Sequence, residues 1–279
     1  MKIGILGAGA MGSGIAQVFA MNGNYSIYLC DLTEELAEKG KKSIDKTLAY
    51  QVKKGKMTDS EKNAILDRIT IGTKEIFKDA DLIIEAVKEN MQIKKETFKE
   101  LDSIVPANCM FASNTSSLSV TEMSNGLSRP VIGMHFFNPA PVMQLVEVIR
   151  GELSTDEQVA KIIEIAKDIG KDPVEVNESA GFAVTRILGP MLNEAIYELY
   201  EGVASMEDID KAMRLGTNMP MGPFQLADYV GLDICLALME TLQHELGSDK
   251  YSPCPLLRKM VRAGKLGVKT GIGFYDYRR

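Results

Sequence analysis

The chain has 279 residues, 45% of them hydrophobic and 25% charged, with a net charge of −6. That mix excludes a disordered or collagen-like chain and makes nucleic-acid binding a poor expectation. At roughly 150 residues per domain the length suggests about two domains, and no run approaches the ~18 apolar residues of a membrane-spanning helix, so no membrane partner is expected.

The chain opens on an apolar strand over residues 3–6 with no signal or transit segment ahead of it, so a cytoplasmic location is expected. Further strands are predicted at 26–30, 82–86, 110–112, 131–134 and 145–149, and another at 173–176. Their near-continuous apolar character suits a parallel sheet covered on both faces. Helices are predicted at 11–21, 34–54, 59–67, 93–104 and 156–169. The alternation argues for an α/β, Rossmann-type doubly wound sheet. From Ser179-Ala180-Gly181 onward only helical periodicity remains, with helices predicted at 187–199, 208–215 and 227–246 and a short one near Pro253–Pro255. The expected layout is a first domain over 1–180 and an all-α C-terminal domain over 181–279. Cys30, Cys109, Cys235 and Cys254 form no Cys-x-x-Cys pair, so reduced, mostly buried thiols and no metal site are expected.

Gly7-Ala8-Gly9-Ala10-Met11-Gly12 is a G-x-G-x-x-G that follows a strand and opens a helix. Gly7 permits the tight turn, Gly9 lets the backbone approach a pyrophosphate, and Gly12 lets helix and strand pack closely. Asp31 ends the second strand, nineteen residues past Gly12. A carboxylate there accepts from ribose hydroxyls and repels a 2′-phosphate, which favours NAD over NADP. Seven lysines lie between Lys39 and Lys56 against one acid, Asp45. This stretch is either a solvated helix face or a site for a phosphorylated ligand.

The chain has two histidines. His244 is expected at the surface near a helix C-terminus. His135 follows the apolar run 131–134, at the carboxyl end of a strand, where open α/β sheets place their ligands. A stiff turn, Asn138-Pro139-Ala140-Pro141, comes after it. Glu147 on the next strand is placed to orient the ring and stabilise its charged form.

These segments match a known pattern. Ser113-Asn114-Thr115-Ser116-Ser117, Gly133–Pro141, Leu145–Arg150, Gly170-Lys171-Asp172-Pro173-Val174 and Lys269-Thr270-Gly271-Ile272-Gly273 make the chain resemble the short-chain L-3-hydroxyacyl-CoA dehydrogenases, most closely the bacterial 3-hydroxybutyryl-CoA dehydrogenases, over nearly its whole length. The resemblance implies an NAD-dependent interconversion of acetoacetyl-CoA and (S)-3-hydroxybutyryl-CoA in butyrate or fatty-acid metabolism, by a homodimer formed through the C-terminal domain. It implies His135 as general acid/base, Glu147 as its partner, and Ser116 as a contact to both substrate and nicotinamide. Glu89, Lys94, Asn138 and Lys269 are implied cofactor contacts. Thr47 and Lys54 fall on an implied helical hairpin, about 34–67, that meets the CoA nucleotide.

One departure stands out. The family carries Asn where this chain has Thr185, so acyl ordering or selectivity is expected to differ. Asn193 lies two turns further along and is no simple replacement. Two rivals remain open at this level: a dehydrogenase of a CoA-free hydroxy acid, which would leave the lysines without a role, and a non-catalytic protein on the same fold, against which His135, Glu147 and Ser116 speak.

Overall fold

Eight short segments, nearly all apolar, build one sheet, and its interior strands bury both of their faces. The computed structural model describes residues 1–278. The chain divides into two compact units, Met1–Ser179 and Ala180–Arg279. In the first, the strands are β1 (Lys2–Leu6), β2 (Ser26–Cys30), β3 (Ile69–Gly72), β4 (Leu82–Glu85), β5 (Met110–Ser113), β6 (Val131–Phe136), β7 (Leu145–Arg150) and β8 (Asp172–Asn177). They lie in the order β3-β2-β1-β4-β5-β6-β7-β8. Neighbours run parallel except β6 and β7, which are antiparallel.

Successive strand side chains point to opposite faces. Ile3, Ile5, Leu82 and Ile84 therefore join one core, while Leu6 and Ile83 join the other. The helices that cover these faces are α1 (Ala10–Asn22), α2 (Glu34–Lys53), α3 (Asp59–Asp67), α4 (Met91–Ile104), α5 (Val120–Ser124) and α6 (Asp156–Asp168). Side chains cap most of them: Thr33 caps α2, Thr58 with Glu61 closes a capping box on α3, Asn90 caps α4, and Thr155 with Gln158 closes a box on α6. Helix α1 starts after Gly9 with no side-chain cap. The sheet order reverses between β2-β1 and β4, which makes a switch point at the carboxyl ends of β1 and β4.

The second unit is helical: α7 (Val184–Glu201), α8 (Met206–Thr217), α9 (Pro223–Val230), α10 (Leu232–Leu246) and α11 (Pro255–Arg262). Its core gathers Leu192, Ile196, Phe224, Leu232 and Leu257. The α/β doubly wound sheet followed by an all-α region is the architecture expected.

Two expectations need correction. Strand β3 was not foreseen, because its four residues form a half-buried edge directly after α3. The helix expected over 227–246 is two helices. Gly231 interrupts it at φ 104°, and the Leu232 amide donates to Leu266 O at 3.2 Å. Apolar periodicity runs through Gly231 unbroken, so the pattern hides a break that only a glycine makes without strain.

Candidate active site

The strand holding His135 runs on to Phe136, two residues past the expected end, so His135 lies inside β6 rather than after it. Antiparallel register sets His135 directly opposite Glu147. Residues so paired project to the same face of the sheet. The imidazole Nδ1 lies 2.7 Å from Glu147 Oε2. Glu147 is fully buried and His135 is 7% exposed, so little water competes for the contact. The ring of Phe137 packs 4.5 Å from the imidazole.

Ser116 is held by a different device. Glu89 Oε1 accepts from Thr115 Oγ1 at 2.6 Å, from the Ser116 amide at 2.9 Å and hydroxyl at 3.3 Å, and from the Ser117 amide at 3.2 Å. Lys94 is 1% exposed; its Nζ lies 2.6 Å from Glu85 Oε1 and 3.3 Å from Glu89 Oε2. Burial opposes the charge on Glu89, but Lys94 and the hydrogen bonds outweigh it and hold the carboxyl below its usual range. Lys94 thus spends its charge on two carboxylates. Glu85, at the end of β4, also accepts from Ser113 Oγ and the Val87 amide, each at 2.6 Å. Asn114 Oδ1 accepts from the Phe136 amide at 2.8 Å and so ties the serine segment to the strand of His135. Sequence reasoning missed Glu85 and Asn114. The signal for Glu85 was a lone carboxylate ending an apolar run.

The glycine turn fits a dinucleotide. Gly7 has φ 102°, and a Cβ there would meet Ala86 O at 2.5 Å. A Cβ on Gly12 would meet Gly7 O at 1.7 Å. Both glycines are required by the chain itself. Gly9 is not, since a Cβ there meets nothing within 4 Å. The backbone at Gly9 and Ala10 is exposed at an uncapped helix start, which is how such turns receive a pyrophosphate. Asp31 accepts from the Ala8 amide and from the Leu32 amide, both at 2.7 Å, and so sits beside the turn.

A cavity of about 400 Å³ opens between α1, α2 and the segment after His135. Gly14, Ser43, Thr47, Lys56 and Asn138 help to line it, whereas Lys54 and His135 do not. The ammonium of Lys54 lies over the Tyr50 ring, 5.4 Å from its centre. Among the hairpin lysines, Lys56 lines this cavity.

In the second unit, Thr185 is half-buried in the first turn of α7. Asn193 is occupied: its Nδ2 donates to Ser252 O at 3.0 Å and its Oδ1 accepts from the Cys254 amide at 2.8 Å. Lys269 Nζ lies 2.7 Å from Asp233 Oδ2. His244 is exposed beside Glu245. The four cysteines are free and buried; burial pushes the Cys30, Cys109 and Cys235 thiols up to about 12 and raises Cys254 as well, which favours the inert thiol form.

Two family profiles match in succession: the NAD binding domain of 3-hydroxyacyl-CoA dehydrogenase over residues 2–179, and its C-terminal domain over 181–277. The chain belongs to the 3-hydroxyacyl-CoA dehydrogenase family. As a member it is an oxidoreductase whose cofactor is NAD. A Bacillus subtilis protein named "Probable 3-hydroxybutyryl-CoA dehydrogenase" is 53% identical over 279 residues, covering 99% of this chain and 97% of that protein. The 3-hydroxybutyryl-CoA dehydrogenase of Clostridioides difficile is 50% identical over 282 residues, with 100% of both chains covered. The crystal structure of (S)-3-hydroxybutyryl-CoA dehydrogenase from Ralstonia eutropha superposes with a TM-score of 0.96 at 46% identity, covering 100% of this chain and 99% of that one.

Proposed function

We propose that this 3-hydroxyacyl-CoA dehydrogenase interconverts acetoacetyl-CoA and (S)-3-hydroxybutyryl-CoA with His135 as general acid/base. The observation that carries the reading is the buried 2.7 Å contact between His135 Nδ1 and Glu147. A carboxylate on Nδ1 fixes the tautomer, so proton exchange falls to Nε2. When the alcohol is oxidised, Nε2 takes the proton of the 3-hydroxyl, and Glu147 stabilises the imidazolium that forms. In reduction, the imidazolium returns the proton to the developing alkoxide. Such positioned proton transfer contributes roughly 10²–10⁴-fold. The Ser116 hydroxyl donates to the 3-oxygen and favours its negative form. Glu89 holds the Ser116 backbone while that hydroxyl turns to the substrate.

NAD supplies the two-electron acceptor, and NADH the donor, for the carbon that bears the 3-oxygen. Gly7, Gly9, Gly12 and Asp31 would hold its pyrophosphate and adenosine ribose, Asn138 and Glu89 would contact it, and buried Lys94 would act through Glu89; Lys269 is a separate proposed cofactor contact. Thr47 and Asn138 share the wall of one cavity, which supports a role in seating the extended arm of CoA. Lys56 and its neighbouring lysines meet the CoA phosphates as point charges. Exposed apolar side chains on the second unit, Ile187 at 73%, Leu215 at 75% and Tyr229 at 69%, support association into a homodimer. The physiological reading is a cytoplasmic enzyme of butyrate or fatty-acid metabolism.

The test is NADH oxidation with acetoacetyl-CoA beside free acetoacetate at equal concentration. Turnover of the thioester, with acetoacetate at least roughly a hundredfold slower, is expected, because remote binding energy is lost with CoA. Equal rates would overturn the CoA assignment.

A further inference from the structure

Lys171 stands between α6 and β8, in the Gly170-Lys171-Asp172-Pro173 segment to which the reaction so far gives no role. It is 7% exposed. Among the described residues no carboxylate pairs with it, and burial lowers its pKa. A methionine fills the same space without the cost of desolvating an ammonium. The charge must therefore be judged by what it binds. Lys171 Nζ donates to Ala140 O at 2.7 Å and to Met143 O at 2.8 Å. These carbonyls belong to the connection that leads from the strand of His135 to the strand of Glu147.

That connection is fixed on several sides. The Val142 and Met143 amides both donate to Pro139 O, at 2.9 and 3.0 Å, which folds it into a turn. The Asp172 amide donates to Gln144 O at 2.9 Å and pins its far end. Gly14 of α1 lies beneath it, where a Cβ would stand 3.2 Å from the Ala140 Cβ. The same residues, Asn138 to Val142, form one wall of the cavity shared with Thr47. The ammonium draws together two carbonyls of a turn that carries Asn138 and faces this cavity.

We propose that Lys171 is a positioning residue for ligand binding: it sets the 138–143 turn so that Asn138 and the cavity wall stand ready for cofactor and acyl-CoA. It touches neither ligand. Its effect runs through the turn, by removing a reorganisation that ligands would otherwise drive. The inference rests on the proposed function in taking the turn to face the ligands.

The experiment compares Lys171→Met with the parent enzyme in three measurements: the NADH dissociation constant from nucleotide fluorescence, kcat and KM for acetoacetyl-CoA, and the thermal midpoint. A positioning role predicts an NADH dissociation constant and an acyl-CoA KM raised at least about fivefold, kcat within about threefold, and a partial return of both in Lys171→Arg. A purely structural lysine lowers the thermal midpoint and the active fraction but moves neither binding quantity. An NADH dissociation constant and a KM both within about twofold of the parent overturn the proposal. If the parent does not turn over acetoacetyl-CoA, the substrate reading fails, and the NADH titration alone still decides for or against Lys171. If Lys171→Met does not fold, Lys171→Gln, too short to bridge both carbonyls, is read by the same criteria.

Discussion

Buried carboxylates occur in both units of this chain, and their partners differ in kind. In the first unit Glu147 meets an imidazole, and Glu85 meets Lys94 and the hydroxyl of Ser113. In the second, Asp210 accepts from the amides of Phe224 and Gln225 and the hydroxyl of Tyr275. Asp228 accepts from the amides of Phe274 and Tyr275 and the hydroxyl of Tyr277. Burial pushes the Asp228 carboxyl up despite those bonds. A carboxylate facing backbone amides has no partner with which to exchange a proton near neutral pH. It ties the C-terminal segment to α8 and α9 and is architecture. A carboxylate facing imidazole fixes the ring's tautomer, and the proposed function makes that pair the chemistry. Burial does not separate the two cases; the partner does.

Substitutions sharpen this contrast. Glu147→Gln keeps the volume but removes the charge that stabilises the imidazolium, and kcat is expected to fall by about 10²-fold, measured as NADH oxidation at saturating substrate. A loss under about threefold would break the distinction, since Glu147 would then resemble Asp228. Glu89→Gln weakens the hold on Ser116 and leaves Lys94 with Glu85 as its one carboxylate partner, and is expected to raise KM for NADH about tenfold. The same residue has a stability signature. Its folded pKa lies below the unfolded value, so its stabilisation is present above the ordinary glutamate range and is lost as pH falls through the folded pKa. Denaturant midpoints taken from about pH 6 to pH 3 should fall less steeply in Glu89→Gln than in the parent. Equal slopes would remove Glu89 from the acid limb.

Thr185→Asn supplies the amide that the resemblance implies at this position and is expected to change kcat/KM for acetoacetyl-CoA by more than about twofold, because the amide reaches further than the hydroxyl and carries its donor and acceptor on separate atoms. A smaller change means the position is silent in this chain. Asp210→Asn should leave turnover of the folded enzyme within about twofold while lowering unfolding free energy by about 1–3 kcal/mol, read by urea titration. Lost turnover at unchanged stability would place Asp210 with the chemistry instead.

Much of this was legible in residue order. Apolar runs marked seven of the eight strands, and the strand–glycine–helix junction at Gly7 marked the dinucleotide turn. The exception, β3, is an edge whose short alternating pattern carries little signal next to a helix. Glu147 could be linked to His135 from its place on the next strand and from the resemblance, but the reading of a parallel sheet did not foresee that β7 runs antiparallel to β6, which is what sets the two residues opposite each other. The partners of Lys94 were not legible. A lysine on an amphipathic helix reads as solvent-facing, and its burial depends on Glu85 arriving from a different strand. That Lys56 lines the cavity was not legible for a related reason. Which of two nearby lysines reaches a cavity depends on where α2 ends, and helix ends are set by capping and packing rather than by periodicity.

The most direct test replaces the imidazole and leaves its strand in place. NADH oxidation with acetoacetyl-CoA is measured for the parent and for His135→Gln in one buffer, with thermal midpoints showing that both are folded. The account predicts a fall in kcat of at least roughly a hundredfold with NADH binding retained. Turnover in His135→Gln within about tenfold of the parent would contradict it and take proton transfer away from this residue.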